Sequence, residues 1–152
     1  MIKILIIEDN QKIRDELSIF LTKNGYFCEA PDEFEDIIDV ALSGKPHLVL
    51  LDINLPVYDG YYICRELRKR SDVPIIVVTS RDSEIDELTA MNLGADDFVT
   101  KPYNTQILIA RISSILKRAY KESISDRLDC GSFVINLSKS SLEYSGGEVG
   151  LT

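Results

Sequence analysis

Apolar blocks of strand length alternate with stretches of helical periodicity along most of this chain. Residues 4–7 are an unbroken apolar run, and residues 12–24 follow with Ile13, Leu17, Phe20 and Leu21 on one helical face. Gly25 closes that helix as a C-terminal cap. Residues 26–30 are a short strand, and residues 33–43 place Phe34, Ile37, Ile38, Ala41 and Leu42 on one stripe that ends at Gly44. Strands at 47–51 and 75–78 flank a helix at 61–70. A helix near 83–92 capped by Gly94, a strand around 97–100 and a helix over 105–119 complete the series.

This succession predicts an α/β fold built on a parallel sheet with helices on both faces, because parallel neighbours need a crossover connection. The run Ile75-Ile76-Val77-Val78, apolar on both of its faces, fits a central strand covered on both sides. The pattern changes after residue 120. Residues 1–120 form the first domain, 121–127 a polar linker, and 128–152 a set of short alternating segments with a hairpin signal at Gly146-Gly147. That small antiparallel tail is too short to bury a core of its own.

Composition narrows the function. With 45% apolar and 28% charged residues the chain reads as an ordinary soluble globular protein, and no apolar run is long enough to cross a membrane. The net charge of −8 argues against nonspecific binding to nucleic acid or to an anionic membrane. Cys28, Cys64 and Cys130 are odd in number and form no CxxC, as expected of reduced thiols in a cytoplasmic protein.

The chemistry collects where the strands end. In an open parallel sheet, ligands sit beyond the carboxyl ends of the strands. The first strand is followed by Glu8 and Asp9, the third by Asp52, the fourth by Thr79 and Ser80, and the fifth by Lys101-Pro102. Singly, each has a plain structural role: a strand-end aspartate caps a turn, Asn10 caps a helix, and a lysine is a solvated charge. Together, three like charges on one sheet edge call for a cation, and hard oxygen ligands in this number suit Mg²⁺. A carboxylate beside Mg²⁺ can attack phosphorus and form an aspartyl-phosphate, so Asp52 needs no neighbouring base. Lys101 and the Thr79 hydroxyl would each hold a phosphoryl oxygen. A cis bond before Pro102 would aim Lys101 inward. His47, the single histidine, starts a strand and reads as structural; Ser80 and the cysteines lack a base for triad chemistry.

The sequences around Glu8-Asp9, LLDINLPVYDG, VVTS and GADDFVTKP together resemble the receiver domain of two-component response regulators, over residues 2–119. The resemblance implies a flavodoxin-like (CheY-like) five-stranded fold and a signalling switch rather than an enzyme. It implies that Asp52 accepts a phosphoryl group from a sensor histidine kinase. Glu8, Asp9, Asp52 and the backbone carbonyl of Asn54 would hold Mg²⁺. Thr79 would be the switch hydroxyl, Lys101 the phosphate-pairing lysine and Phe98 the switch aromatic.

The segment GADDFVTKPYNTQILIARISSILKR further resembles the OmpR/PhoB subfamily. That implies a homodimer through the fourth helix, fifth strand and fifth helix, with Asp96, Asp97, Arg111 and Arg118 matching its charged positions. A further pair usual there is missing, since Glu87 and Ile107 occupy its places. The tail resembles the N-terminal sheet of a winged-helix DNA-binding domain. The sequence stops before a recognition helix, so promoter DNA is an expected partner only of a full-length form. Asn54 stands where methionine is commoner and, with Arg81, flanks the route for hydrolytic water.

Two rival functions are weighed against these residues. A haloacid-dehalogenase-type phosphohydrolase needs a second acid two residues beyond its nucleophile, and Asn54 cannot shuttle a proton. A phosphate-independent interaction module has no need of the intact set Glu8, Asp9, Asp52, Thr79 and Lys101.

Overall fold

The structure, a computed structural model, describes residues 1–120. The linker and antiparallel tail expected over 121–152, Cys130 included, lie outside the described residues.

Five strands and five helices alternate in chain order: β1 Lys3–Ile7, α1 Gln11–Lys23, β2 Phe27–Glu29, α2 Ile37–Gly44, β3 Leu48–Leu51, α3 Gly60–Arg70, β4 Ile75–Thr79, α4 Glu84–Asn92, β5 Asp97–Thr100 and α5 Thr105–Ala119. All strand pairings are parallel, and the sheet order is β2-β1-β3-β4-β5. The fold is therefore the parallel sheet with helices on both faces expected from the alternation, in the flavodoxin-like order that the resemblance implied. Its order reverses between β1 and β3, where Ile7 pairs with Leu51, so Glu8 and Asp52 leave the sheet side by side.

Strand side chains alternate between the two faces. Leu5, Ile7, Val49, Leu51, Ile75 and Val77 join one buried cluster with Ile37 and Ala41 of α2, Ile63, Cys64 and Leu67 of α3, and Ala90 of α4. The intervening Ile4, Ile6, Leu48, Leu50, Ile76 and Val78 are just as buried, as are Leu17 and Leu21 of α1 and Leu108, Ile112 and Ile115 of α5. This two-sided burial is why β3 and β4 read as continuous apolar runs. No described helix is long and apolar enough to cross a membrane.

The helix starts nearest the carboxyl edge of the sheet carry side-chain caps. Asn10 Oδ1 accepts from the Ile13 N–H, Asp59 Oδ1 from Tyr61, and Ser83 Oγ from Asp86. Gly25 (φ 92°) and Gly94 (φ 108°) sit one residue beyond the caps Asn24 and Leu93, in the left-handed region that glycine tolerates. The second helix departs from its pattern. Phe34 fits the apolar stripe and is buried, yet it precedes the helix, which begins at Ile37 after a turn closed by the Ile37 N–H on the Phe34 carbonyl. Gly44 is the last helical residue there, and Lys45 takes the left-handed conformation. The Lys101–Pro102 bond is cis, as the sequence suggested.

Candidate functional site

The carboxyl ends of β1, β3 and β5 converge on one acidic pocket. Lys101 Nζ lies 2.5 Å from Glu8 Oε1 and 3.1 Å from Asp52 Oδ2. Asp9 completes the acidic group: a carboxylate oxygen from each of Glu8, Asp9 and Asp52 lies within 4.8 Å of the others. Glu8 and Asp52 are buried and Asp9 is exposed, so the pocket opens on the Asp9 side.

Backbone geometry aims these groups. Glu8 Oε2 accepts from the Asn10 N–H at 3.0 Å, and Asp52 Oδ1 accepts from the Asn54 N–H at 3.2 Å. Each carboxylate is thus held by the loop that follows it, while its other oxygen meets Lys101. Thr79 ends β4 fully buried, and its Oγ1 accepts from the Arg81 N–H at 3.3 Å. The Lys101 N–H donates to the Thr79 carbonyl, tying the two loops together at 2.8 Å.

Gly60 permits the closest approach. Its N–H donates to the Ile53 carbonyl, and a Cβ added there would sit 2.3 Å from the Asp52 carbonyl oxygen. The first turn of α3 can press against the backbone carrying Asp52 only without a side chain at this place.

Electrostatics follow from burial. Desolvation pushes the Glu8 carboxyl above its usual range, opposed by its bonds from Lys101 and Asn10 and reinforced by the Asp52 charge. Burial also acts against the Lys101 ammonium, but its bond to Glu8 and the charges of Asp52 and Glu8 outweigh it and raise the lysine. Three carboxylates stand against one ammonium, leaving a surplus of negative charge on hard oxygen donors. Those donors fit a small divalent cation such as Mg²⁺, which accepts one or two carboxylates and keeps its remaining positions for water or phosphate oxygens.

The other anticipated residues lie on neighbouring elements. Phe98 is buried in β5 and belongs to the core cluster. Asp97 and Arg111 pair within the chain at 2.8 Å. Asp96 is engaged inward, where its Oδ2 accepts from the Ile75 N–H at 2.8 Å and from Arg68 at 3.1 Å. Arg118 is exposed on the last turn of α5.

Two arrangements went unforeseen from sequence. The Tyr61 hydroxyl donates to Asp86 Oδ1 at 2.7 Å, linking α3 to α4, and the Arg81 guanidinium lies over the Tyr61 ring while its Nε donates to Asn54 Oδ1 at 2.8 Å. Arg14 of α1 is buried, with its Nη1 donating to the Glu8 carbonyl at 3.0 Å. Arg14 stands three residues before Leu17 and seven before Leu21, on the same buried stripe, but its charge reads as solvent-facing.

Comparison with known proteins gives a consistent picture. Residues 4–113 match the family model described as the response regulator receiver domain. The transcriptional regulatory protein YxdJ of Bacillus subtilis (strain 168) is 46% identical over 122 residues, covering 80% of this chain and 53% of the relative. The chain therefore spans about half the length of this curated relative. The BeF₃-activated N-terminal receiver domain of Klebsiella pneumoniae RstA is similar, with a TM-score of 0.73 and 32% identity over 76% of this chain and 98% of the other. A two-component response regulator from Clostridium difficile gives a TM-score of 0.75 at 33% identity, over 78% and 98% of the two chains.

Proposed function

The chain belongs to the family of response regulator receiver domains, and on that premise we propose that Asp52 is its phosphoacceptor, charged by a histidine of a sensor kinase. The observation that carries this reading is the Lys101 ammonium bridging Asp52 and Glu8 at the sheet's reversal point.

In this reading an Asp52 oxygen forms a bond to phosphorus as the bond from phosphorus to the donor's imidazole nitrogen breaks and the electron pair leaves with the imidazole. Lys101 is already charged and within reach of the carboxylate, so it neutralises a phosphoryl oxygen without a proton transfer. The Thr79 hydroxyl, one strand away, accepts a bond from Arg81 and remains free to donate to a second oxygen. Glu8, Asp9, Asp52 and the Asn54 carbonyl would hold Mg²⁺, which would supply charge neutralisation for the transferring group. Thr79 and Phe98 then transmit occupancy of the site toward β5 and the adjoining helices.

The output we propose is a homodimer through α4, β5 and α5. Asp97 and Arg111 supply a charged pair on that face, with Asp96 and Arg118 at its other charged positions. Ile85, Leu88 and Met91 form an exposed apolar row on α4, and Ile107 is exposed on α5. Ile107 stands at one of the two places of the subfamily's missing ion pair, and Glu87 of α4 at the other. Regulation of transcription is proposed for a full-length form, by analogy with the regulator YxdJ, as is binding to promoter DNA. A phosphate-independent module is disfavoured because a buried acidic pair without a phosphoryl or metal partner is a standing electrostatic penalty.

Intact-mass spectrometry after incubation with acetyl phosphate and Mg²⁺ tests this. The wild type gains one phosphoryl group, dependent on Mg²⁺, and Asp52→Ala gains none. An equal adduct on the variant would move the acceptor elsewhere, and no adduct on either would favour the interaction module.

A further inference from the structure

Arg14 is an arginine where the fold has least room for one. It is 7% exposed, and among the described residues it takes part in no ion pair. Its guanidinium donates to the carbonyl of Glu8 at 3.0 Å. A buried cation without a carboxylate of its own carries a desolvation penalty, and the acceptor it meets here is the main-chain carbonyl of an acidic residue of the pocket.

The bond closes a ring at the β1–α1 joint. The Asn10 N–H holds Glu8 Oε2, Asn10 Oδ1 accepts from the Ile13 N–H, and the Asn10 carbonyl accepts from the Arg14 N–H at 2.9 Å. The Arg14 side chain then returns from the first turn of α1 to Glu8 itself. Glu8 and Asn10, the residues on either side of Asp9, are thereby tied to the helix that follows.

We infer that Arg14 is a positioning residue for the divalent cation, fixing the Glu8–Asp9 backbone so that both carboxylates face the pocket. The inference rests on the metal reading given above. Charge and geometry act here with opposite signs, which makes the role testable. Removing a positive charge beside the acids strengthens cation binding; removing the brace on the Glu8 carbonyl weakens it.

The test is calorimetric titration of Mg²⁺ into the chain, wild type first, then Arg14→Met, Arg14→Lys and Arg14→Gln, each with a melting curve taken in chelator. Arg14→Met keeps the apolar stem and loses donor and charge, and binding weakens about tenfold, as is usual when a group orienting metal ligands is removed. Arg14→Lys, which keeps a charged donor, recovers most of that loss. Affinity that is unchanged or tighter in a folded Arg14→Met overturns the inference and leaves Arg14 a stability residue or a mere neighbouring charge. If Arg14→Met does not fold, Arg14→Gln carries the test, since its amide is too short to reach the same carbonyl. Weaker binding supports the brace and equal or tighter binding overturns it. Failure of the wild type to bind Mg²⁺ saturably would overturn the metal reading itself and this inference with it.

Discussion

Gly60 and Asp52 are in backbone contact: a Cβ on Gly60 would lie 2.3 Å from the Asp52 carbonyl oxygen and 2.5 Å from the Ile53 Cα. Both obstacles are backbone atoms, so no side-chain rotation can relieve them. Gly60→Ala must move α3 or the loop bearing Asp52. Overpacking of this kind costs up to about 3 kcal/mol. We expect a fall in melting temperature of roughly 10 °C for a domain of this size. Phosphorylation by acetyl phosphate should fall further than stability alone explains, because the displaced atoms carry the acceptor.

Lys101 is the only cation that contacts both Glu8 and Asp52 among the described residues. Removing one partner of a buried charge cluster leaves the others uncompensated. Lys101→Met should therefore destabilise the metal-free protein by about 2 kcal/mol or more. Saturating Mg²⁺ should restore more stability to the variant than it adds to the wild type. Thermal unfolding with and without chelator measures both terms, and equal metal responses would contradict the charge accounting.

The Glu8 carboxyl is raised above its ordinary value of 4.5, burial being the largest cause. A folded-state value above the unfolded one means that the folded chain binds the proton more tightly. The associated stability is complete below about pH 4.5 and is lost as pH rises through the folded value. Glu8→Gln cannot ionise and keeps one acceptor oxygen, enough for Lys101 or for the Asn10 N–H but not for both. Without metal, its melting temperature relative to the wild type should be highest near neutral pH. That relative gain should shrink as pH falls toward 4.5, and the Mg²⁺-induced rise should disappear. A uniform gain across pH would mean that the effect is packing rather than ionisation.

The Tyr61 hydroxyl is pushed up to about 12, first by burial and then by its bond to Asp86. The neutral phenol is the form the fold favours, so its contribution is full below the ordinary value of 10 and is lost as pH rises toward 12. In the difference between wild-type and Tyr61→Phe absorbance titrations at alkaline pH, the missing phenolate should appear well after an ordinary tyrosine. Ionisation near 10 would show that the α3–α4 link is not made in solution.

If the dimer forms on α4, β5 and α5, its strength should come more from apolar contact than from ions. Asp97 with Arg111 is a partly exposed pair of the kind that contributes between about 0 and 1 kcal/mol. Leu88 is exposed, so Leu88→Asp spares the fold. Sedimentation equilibrium of the phosphorylated protein should show association weakened about tenfold by Leu88→Asp, against threefold or less for Asp97→Ala. The reverse ranking would place the contact elsewhere.

The parallel sheet was legible because β3 and β4 are buried on both faces and say so in runs such as Ile75-Ile76-Val77-Val78. The acids were legible for a related reason: a charge directly after such a run must lie at the sheet's edge. Phe34 misled the helix boundary because a turn folded under a helix repeats the helix's own spacing. Arg14 was overlooked because an arginine reads as solvent-facing, although its spacing to Leu17 and Leu21 sets it on their buried stripe. Tyr61 and Asp86 lie 25 residues apart on separate helices, a separation that no local pattern spans. Asp96 shows the converse: a charge that reads as a surface feature spends its oxygen on the Ile75 N–H.

Glu8 and Lys101 are 93 residues apart in the chain. A ribosome delivers all three acids well before the ammonium that reconciles them, and the last edge strand must dock before the lysine arrives. A polypeptide cut short ahead of residue 101 holds the acids and the hydroxyl but not the cation. The pocket closes its charge balance only once the chain has been made through β5, so the mutual repulsion of Glu8 and Asp52 goes unopposed by this lysine in any shorter fragment.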